Sequence, residues 1–141
     1  MTQPDAIKVL IYALRDRHLL VFDEPDFPAV KLQVPGGTVE PGEDLATAAA
    51  REFEEETGLA AVDLVPLGIQ DYRFEKDGRE YHHQRHYFCC TLPEATADTW
   101  IHLEMTPFDG SGPIRFRFFW LPIAAAGQRL GYGMQDFIDH L

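Results

Sequence analysis

The sequence predicts an α/β domain in which a mixed central sheet lies between helices. One helical pattern, without Gly or Pro, covers residues 44–57, and a second, shorter pattern covers residues 134–141. Apolar, β-rich segments lie on both sides of the first helix, an order typical of a sheet covered by helices. The chain has 141 residues, of which 45% are hydrophobic. That length fits one domain over residues 1–141 and leaves no room for a second.

The segment before the first helix predicts a hairpin and a short third strand. Residues 7–14 and 18–22 are apolar runs rich in β-formers, and the polar residues 15–17 separate them. Residues 31–34 form a short strand that leads into the Pro-Gly-Gly sequence at 35–37. There the two glycines allow a tight turn and a close approach of the backbone to a ligand.

The helix over residues 44–57 is supported by its composition and by its ends. Alanine and other strong helix formers dominate, and acidic residues crowd the first turn. Gly58 stands where a left-handed C-cap would fall. At about 100° per residue, one apolar arc of the helix is expected to face the core, and it comprises Leu45, Ala46, Ala49, Ala50 and Phe53.

Three carboxylates along the edge of that arc, Glu52, Glu55 and Glu56, predict a cation site. Like charges three and four residues apart on a helix repel each other, so the arrangement costs stability unless a cation neutralises it. Oxygen ligands select a hard cation such as Mg²⁺, which proteins usually hold with a few carboxylates, waters and substrate phosphates. The alternative is that residues 54–56 are only a solvated helix face, the common meaning of an isolated acidic run.

After the helix, two long strands, a loop and a final strand are predicted. Residues 62–74 and 80–92 have strand patterns joined by residues 75–78, where Asp-Gly is a strong hairpin signal. Residues 93–112 are polar and predict a long loop, which in a compact domain is more often functional than idle. Residues 113–121 form a strand whose bulky apolar side chains share one face, while its two arginines share the other.

Residues 37–59 carry a specific resemblance. They read GTVEPGEDLATAAAREFEEETGL and match the pattern G-x5-E-x7-R-E-(apolar)-x-E-E-x-G-(apolar) at every specified position. This pattern resembles the signature of the Nudix hydrolases. With average residue usage such a match arises by chance roughly once in 10⁹ windows, so coincidence is negligible in this chain.

The resemblance implies a Nudix-like α/β/α sandwich and a pyrophosphohydrolase that depends on Mg²⁺ or Mn²⁺. Its substrate would be a nucleoside diphosphate linked to another group, for example a nucleoside triphosphate or a nucleotide sugar. The resemblance implies that the Gly37 carbonyl is a metal ligand. Glu55 and Glu56 are also predicted to bind the metal, and Glu52 is predicted to act as ligand or general base. Arg51 and Glu43 would orient these carboxylates as part of the catalytic framework.

A further metal ligand is expected outside the signature. Family members commonly recruit one more acid from a loop that follows it. The candidates in residues 93–112 are Glu94, Asp98, Glu104 and Asp109, and we predict Glu104 as the additional ligand.

A substrate-binding face is predicted on the strand at 80–92. Tyr81, His83, Arg85 and Tyr87 alternate along it and therefore share one face. The tyrosine rings could stack on a base and Arg85 could meet a phosphate, although a half-exposed sheet face would show the same pattern. The histidines at 82, 83 and 86 lie too far apart, or on different faces, for a zinc site.

Composition narrows the partners and the compartment. A net charge of −11 disfavours binding to a nucleic acid duplex, because such binding rests on Lys and Arg that neutralise phosphates. It does not disfavour a small nucleotide that arrives with its metal. Neither an apolar run of 18 residues nor a signal-peptide pattern is present, so we expect no membrane span and predict the cytoplasm. The two adjacent cysteines, Cys89 and Cys90, are expected to be core residues in a reducing compartment.

The competing function is a nucleotide-sensing or adaptor domain without catalysis on the same fold. The complete set of carboxylates argues against it. The sequence leaves open which nucleotide is the substrate and whether the protein forms a homodimer.

Overall fold

A computed structural model of the chain describes residues 3–105 and 112–141, and within these ranges seven strands form one sheet. The elements in chain order are β1 (Ala6–Arg15), β2 (His18–Asp23), β3 (Gly36–Thr38), α1 (Leu45–Thr57), β4 (Val65–Lys76), β5 (Arg79–Thr91), β6 (Thr99–Glu104), β7 (Ile114–Pro122), α2 (Ile123–Arg129) and a single 3₁₀ turn (Ile138–His140).

The sheet is mixed, as predicted. Its strand order is β4-β5-β1-β2-β7-β6, and β3 pairs with β1 outside this path. β1 and β5 are parallel over nine residue pairs, from Ala6 with His83 to Leu14 with Thr91, while the other pairs are antiparallel. The predicted β1–β2 hairpin exists, but its pairing covers only two residue pairs next to the turn. Most of β1 therefore depends on β5 and β3 for its partners.

Two apolar cores lie on opposite faces of the sheet, which confirms the sandwich. Side chains alternate across a strand, so neighbouring residues of β1 enter different cores. Ile11 packs in the core that contains Ala49 and Phe53 of α1. Tyr12 packs in the core that contains Ala126 of α2 and the C-terminal segment. The sheet thus separates α1 from α2.

Helix α1 ends before Gly58 as predicted, but it begins at Leu45 with no acidic residue in its first turn, and its buried face differs slightly from the expected one. The Asp44 side chain accepts a hydrogen bond from Thr47 N, and Gly58 adopts φ 79°, the left-handed C-cap expected of it. Ala46, predicted to face the core, is exposed, because the buried arc is rotated toward Ala48 and Thr57.

The hairpin of β4 and β5 and the alternation along β7 are confirmed. Asp77 and Gly78, both with positive φ (53° and 78°), connect Lys76 to Arg79, which pair directly. On β7 the buried rings of Phe116 and Phe118 pack on the α1 side of the sheet.

Four expectations about local structure were wrong. Residues 31–34 form only isolated bridges, and Gly36 and Gly37 are themselves part of β3 rather than a turn. The expected loop at 93–112 contains the edge strand β6, and Asp109 lies outside the described residues. The expected closing helix at 134–141 is only the 3₁₀ turn, and α2, which the sequence did not suggest, precedes it. In the described ranges, no helix is both long and apolar enough to cross a membrane.

Candidate active site

A cavity of about 800 Å³ opens between the acidic edge of α1, the strands β1 and β3, and the part of the β4–β5 hairpin that lies near its turn. One wall carries the carboxylates of α1 together with Glu104 from the end of β6. The opposite wall carries cationic and aromatic side chains. The cavity therefore has two walls of opposite chemical character.

Arg51 anchors the acidic wall. Its guanidinium donates two hydrogen bonds to Glu43, from Nε to Oε2 (2.7 Å) and from Nη2 to Oε1 (2.8 Å), in the planar geometry that suits a carboxylate. This pairing, with a hydrogen bond from Glu40 N, lowers the pKa of Glu43 to about 2. The same guanidinium donates from Nη2 to Thr38 O (3.2 Å). Arg51 thus ties the segment before α1 to the helix and to β3.

Glu52 lies inside the cavity and is contacted by the same guanidinium. Arg51 Nη1 donates to Glu52 Oε1 (2.8 Å) and to Glu55 Oε2 (3.2 Å). Burial nevertheless raises the pKa of Glu52, because it outweighs the attraction of Arg51, and Glu55 and Glu104 raise it further. Glu55 is the more exposed of the two side chains.

Glu56 is the least compensated carboxylate of the wall. Its Oε1 accepts a hydrogen bond from Gly36 N (3.0 Å). Burial raises its pKa well above the ordinary value, and the negative charges of Glu104 and Glu52 act in the same direction. The hydrogen bond from Gly36 and the more distant Lys8 only partly oppose these effects.

The two glycines of β3 are required because the backbone approaches its neighbours closely. A Cβ added to Gly36 would lie 2.4 Å from Val9 O, and one added to Gly37 would lie 2.0 Å from Glu52 Oε2. Neither glycine has a positive φ. Close approach, rather than a tight turn, therefore explains the glycine pair and brings the Gly37 backbone against Glu52.

Glu104 reaches the site because β6 is fastened to the C-terminal end of α1. His102 Nε2 is hydrogen-bonded to Glu55 O (2.9 Å), and Trp100 Nε1 donates a hydrogen bond to Thr57 O (2.9 Å). These side chains satisfy carbonyls that the helix end leaves without intrahelical partners. Residues alternate along β6, so Glu104 follows on the same face and lines the cavity.

The opposite wall is formed by β1, β4, β5 and the C-terminal segment. Arg85, only 6% exposed, stacks on the ring of Tyr72 at 3.6 Å and donates hydrogen bonds to Gln70 Oε1 (3.2 Å) and Tyr132 O (2.5 Å). Lys8 Nζ donates to Thr38 Oγ1 (2.6 Å), and burial lowers the pKa of this lysine. This wall offers fixed positive charge beside an aromatic surface.

Comparison with known proteins identifies the family of this chain. A family model for the NUDIX domain matches residues 2–140. The chain belongs to the NUDIX family. A segment of 55 residues is 42% identical to MutT4 of Mycobacterium tuberculosis (strain CDC 1551 / Oshkosh), and it covers 39% of this chain and 22% of that protein. The match thus spans only a small part of this curated relative.

Solved Nudix structures share the fold along almost the whole chain. A MutT NUDIX hydrolase from Burkholderia pseudomallei superposes with a TM-score of 0.72 at 19% identity, covering 99% of each chain. A NUDIX hydrolase from Nitrosomonas europaea gives a TM-score of 0.62 at 26% identity, covering 90% of this chain and 78% of that one. These likenesses agree with the α/β sandwich described above.

The donor set of the Nudix signature fits a hard divalent cation. It consists of carboxylate and backbone oxygens. Burial, reinforced by the neighbouring carboxylates, raises the pKa values of Glu52 and Glu56. Within residues 3–105 and 112–141, no three acidic, His or Cys side chains already converge as a ligand group. Arg51 instead engages Glu52 and Glu55 through one oxygen of each, Oε1 and Oε2 respectively.

Only one of the three residues predicted to bind substrate lines the cavity. Arg85 does so, but Tyr87 is 1% exposed and lies in the core, where its hydroxyl donates to Gln70 Oε1 (2.8 Å). The ring of Phe137 covers it at 4.8 Å. Tyr81 lies outside the cavity and stacks on Phe74 at 5.2 Å. Placing Tyr87 in the nucleotide pocket was therefore wrong, and the geometry does not bring Tyr81 into it.

The aromatic lining that the sequence did not suggest comes from the neighbouring strand and the C-terminus: Tyr72, Phe74 and Tyr132. The hairpin register contained a signal for two of them. Because Asp77 and Gly78 form a two-residue turn, Tyr72 lies opposite His83. Tyr132 had no comparable signal, since its position depends on how the C-terminal segment crosses the sheet.

Proposed function

We propose that this chain is a Mg²⁺-dependent or Mn²⁺-dependent pyrophosphohydrolase that cleaves the diphosphate linkage of a nucleoside diphosphate joined to another group. The observation that supports it is the juxtaposition in one cavity of the signature carboxylates with a cationic and aromatic wall. A diphosphate with its metal suits the first wall, and the nucleoside suits the second.

The residues proposed to hold the metal are the Gly37 carbonyl, Glu52, Glu55, Glu56 and Glu104. When bound, a divalent cation offsets charge on the phosphate oxygens and lowers the pKa of a coordinated water. The acidic wall is suited to such a cation because its carboxylates are crowded. Arg51 and Glu43 keep the helix edge in place beside β3.

In the proposed reaction Glu52 accepts a proton from the attacking water. The pKa of Glu52 is raised by burial, which makes it a stronger base than an exposed glutamate. The water attacks one phosphorus, the bridging oxygen leaves with its phosphate or phosphoester, and Glu52 can return the proton to solvent. Arg51 holds Glu52 Oε1, which fixes the direction of that carboxylate.

The second wall is proposed to bind the rest of the substrate. Tyr72 and Phe74, half-buried rings that line the cavity, are the proposed contacts of a base, and the guanidinium of Arg85 lies against Tyr72 where it can meet a phosphate oxygen. His83 is uncharged at neutral pH, because burial, together with Lys8 and Arg85, lowers its pKa to about 4. The proposed partner is thus a small nucleotide, and a cytoplasmic location remains a prediction from the sequence.

Turnover tests the proposal. Purified protein is incubated with nucleoside triphosphates, dinucleoside polyphosphates, nucleotide sugars and ADP-ribose, with Mg²⁺ or with EDTA, and released phosphate and nucleotide are measured. We expect Mg²⁺-dependent cleavage of at least one compound, lost in Glu52→Gln and retained in Glu54→Gln. Glu54 is a matched control because it is an exposed glutamate of the same helix outside the cavity. Saturable binding with no turnover of any compound would instead favour a sensor domain.

A further inference from the structure

A second cavity of about 460 Å³ lies on the other side of Glu24 from the proposed active site. Its walls come from the end of β2, the segment at 24–32, the exposed face of β7 and the last residue of α2. Glu24 lines both cavities. None of the signature residues lines the second cavity, so its chemistry must be explained separately.

Two exposed cationic residues, Lys31 and Arg129, line this cavity. Leu32 and Leu130 form a parallel bridge, and Gly131 N donates to Leu32 O (3.0 Å). In a parallel bridge the preceding residues, Lys31 and Arg129, are also neighbours on a common face. The stem of Lys31 lies over Gly131, where an added Cβ would be 2.4 Å from Lys31 Cβ. The backbone therefore brings Lys31 and Arg129 together at this cavity, and the ammonium of Lys31 lies over the ring of Tyr132, 5.8 Å from its centroid.

Within the ranges that the structure describes, neither Lys31 nor Arg129 forms an ion pair. The other arginine of the cavity is already neutralised, because Arg117 donates to both oxygens of Asp23 (3.0 and 2.6 Å). With Glu24, the charged lining is three cations against two carboxylates. A local positive excess in a chain of net charge −11 is selective for an anion.

The remaining wall is preformed and partly apolar. Pro25 and Pro28 restrict the backbone of the segment, and Phe27 N donates to Glu24 O while Val30 N donates to Phe27 O (both 2.9 Å). The side of the cavity opposite the cations is thus held in place by turns and contributes little negative charge beyond Glu24. An anion entering it needs no rearrangement of the backbone.

We propose that this cavity is a second anion site, in which Lys31 and Arg129 bind a phosphate group. A guanidinium matches two phosphate oxygens with two parallel N–H donors, and the ammonium of Lys31 can meet a third. The group can be inorganic phosphate or the terminal phosphate of a phosphomonoester that extends past Glu24 from the first cavity. Phosphate binding does not depend on the proposed hydrolysis and takes place without metal.

Titration with inorganic phosphate in EDTA tests the site. Amide resonances of ¹⁵N-labelled protein are followed at constant ionic strength, with chloride as the comparison anion. We expect saturable shifts at residues 30–32 and 129–131, with a dissociation constant in the millimolar range suited to a small exposed site. The double variant Lys31→Gln/Arg129→Gln should lose these shifts. The matched control Arg17→Gln/Lys76→Gln removes two exposed turn cations outside both cavities and should keep them.

The outcome that overturns the proposal is the absence of saturation at these amides, or an equal response of the double variant and the wild type. Melting curves of both double variants show whether each is folded, and the single variants Lys31→Gln and Arg129→Gln replace any that is not. The source of the phosphate is distinguished by KM values for a cleaved substrate with and without a distal phosphomonoester. If the double variant raises KM roughly fivefold to tenfold for the longer substrate alone, the site binds the substrate's distal phosphate. Unchanged KM values assign it to free phosphate.

Discussion

The carboxylates at the two ends of α1 have pKa values that are shifted in opposite directions. At its beginning, Glu43 is paired bidentately with Arg51, and its pKa falls to about 2. Near its end, Glu56 has one backbone donor and two acidic neighbours, and its pKa is raised well above the ordinary value. Burial is the largest cause of the pKa shift at Glu56, whereas the hydrogen bonds from Arg51 are the largest cause at Glu43, so the surroundings rather than the residue type set the difference.

This difference separates a structural group of charges from the group that we propose to be reactive. The first group stabilises the folded chain by itself, because its charges are compensated by a guanidinium. The second raises the free energy of the folded chain until a cation binds. Arg51 contacts both groups, and it thereby holds the reactive carboxylates beside a group that remains fixed.

The largest expected effect is on catalysis in the reactive group. Glu52→Gln should lower kcat by roughly 10² to 10⁴, because the amide keeps the shape of the side chain but cannot accept a proton from water. Its melting temperature in EDTA should not fall. Steady-state kinetics on the best substrate measure the effect, and a rate close to wild type would show that Glu52 is neither base nor essential ligand.

The next effect is the linkage between metal and stability. With Mg²⁺ at 100 times its dissociation constant, the wild type should gain roughly 2.7 kcal/mol in free energy of unfolding. Glu56→Gln should gain much less, because it lacks one ligand charge. In EDTA the same variant should be as stable as wild type or more stable by a few tenths of a kcal/mol, since it relieves repulsion along the helix. Identical responses to Mg²⁺ would remove Glu56 from the ligand set.

Replacing the two glycines of β3 separates packing from reactivity. In Gly36→Ala the new methyl group meets the fixed oxygen of Val9, so overpacking should cost about 1–3 kcal/mol of stability. In Gly37→Ala it meets the movable end of Glu52, so activity should fall more than stability does. Gly127→Ala is the control, because its methyl group would make an ordinary contact with Ile138 at 3.9 Å. Chemical denaturation and kinetics of all three provide the test.

The smallest effect is a pair of opposite pH dependences in EDTA. Folding raises the pKa of Glu56, so the folded state binds its proton more tightly and wild-type stability is lost as pH rises from 4.5 through the raised value. The advantage of Glu56→Gln over wild type should therefore appear across that interval. Folding lowers the pKa of Glu43, so its contribution is complete above 4.5 and is lost as pH falls toward 2.

The cost of Glu43→Gln should thus be largest at neutral pH and shrink on acidification. Melting temperatures of both variants and of wild type between pH 3 and 8 measure the two trends. Parallel curves for the two variants would contradict the separation of paired from unpaired carboxylates.

Local patterns were sufficient to predict the elements that depend on local chemistry. Helix α1 follows from its helix formers and Gly58, and the structure adds the cap at Asp44. The β4–β5 hairpin follows from Asp77-Gly78, whose positive φ values suit a two-residue turn. The fold class and the NUDIX family membership, both predicted from residues 37–59 and the order of elements, are confirmed by the sheet topology and the family match.

What the sequence did not predict depends on contacts between distant segments. Strand β6 is an exposed edge strand in a polar stretch, so its hydrophobic pattern is weak, yet it brings Glu104 to the cavity through His102 and α1. Tyr87 was predicted to bind substrate because side chains alternate along its strand, but alternation determines only the face of the sheet on which a side chain lies. Whether that face is open depends on Phe137, which lies 50 residues further along the chain.

The parallel pairing of β1 with β5 has a consequence for how the chain acquires its structure. The first strand of the sheet finds most of its backbone partners more than seventy residues later, and its hairpin with β2 supplies only two residue pairs. Closing so long a segment carries an entropic cost that must be met before the contacts form. During synthesis, one edge of β1 therefore lacks its strand partner until Thr91 has left the ribosome. We expect folding to occur late and cooperatively, with β5 completing the centre of the sheet.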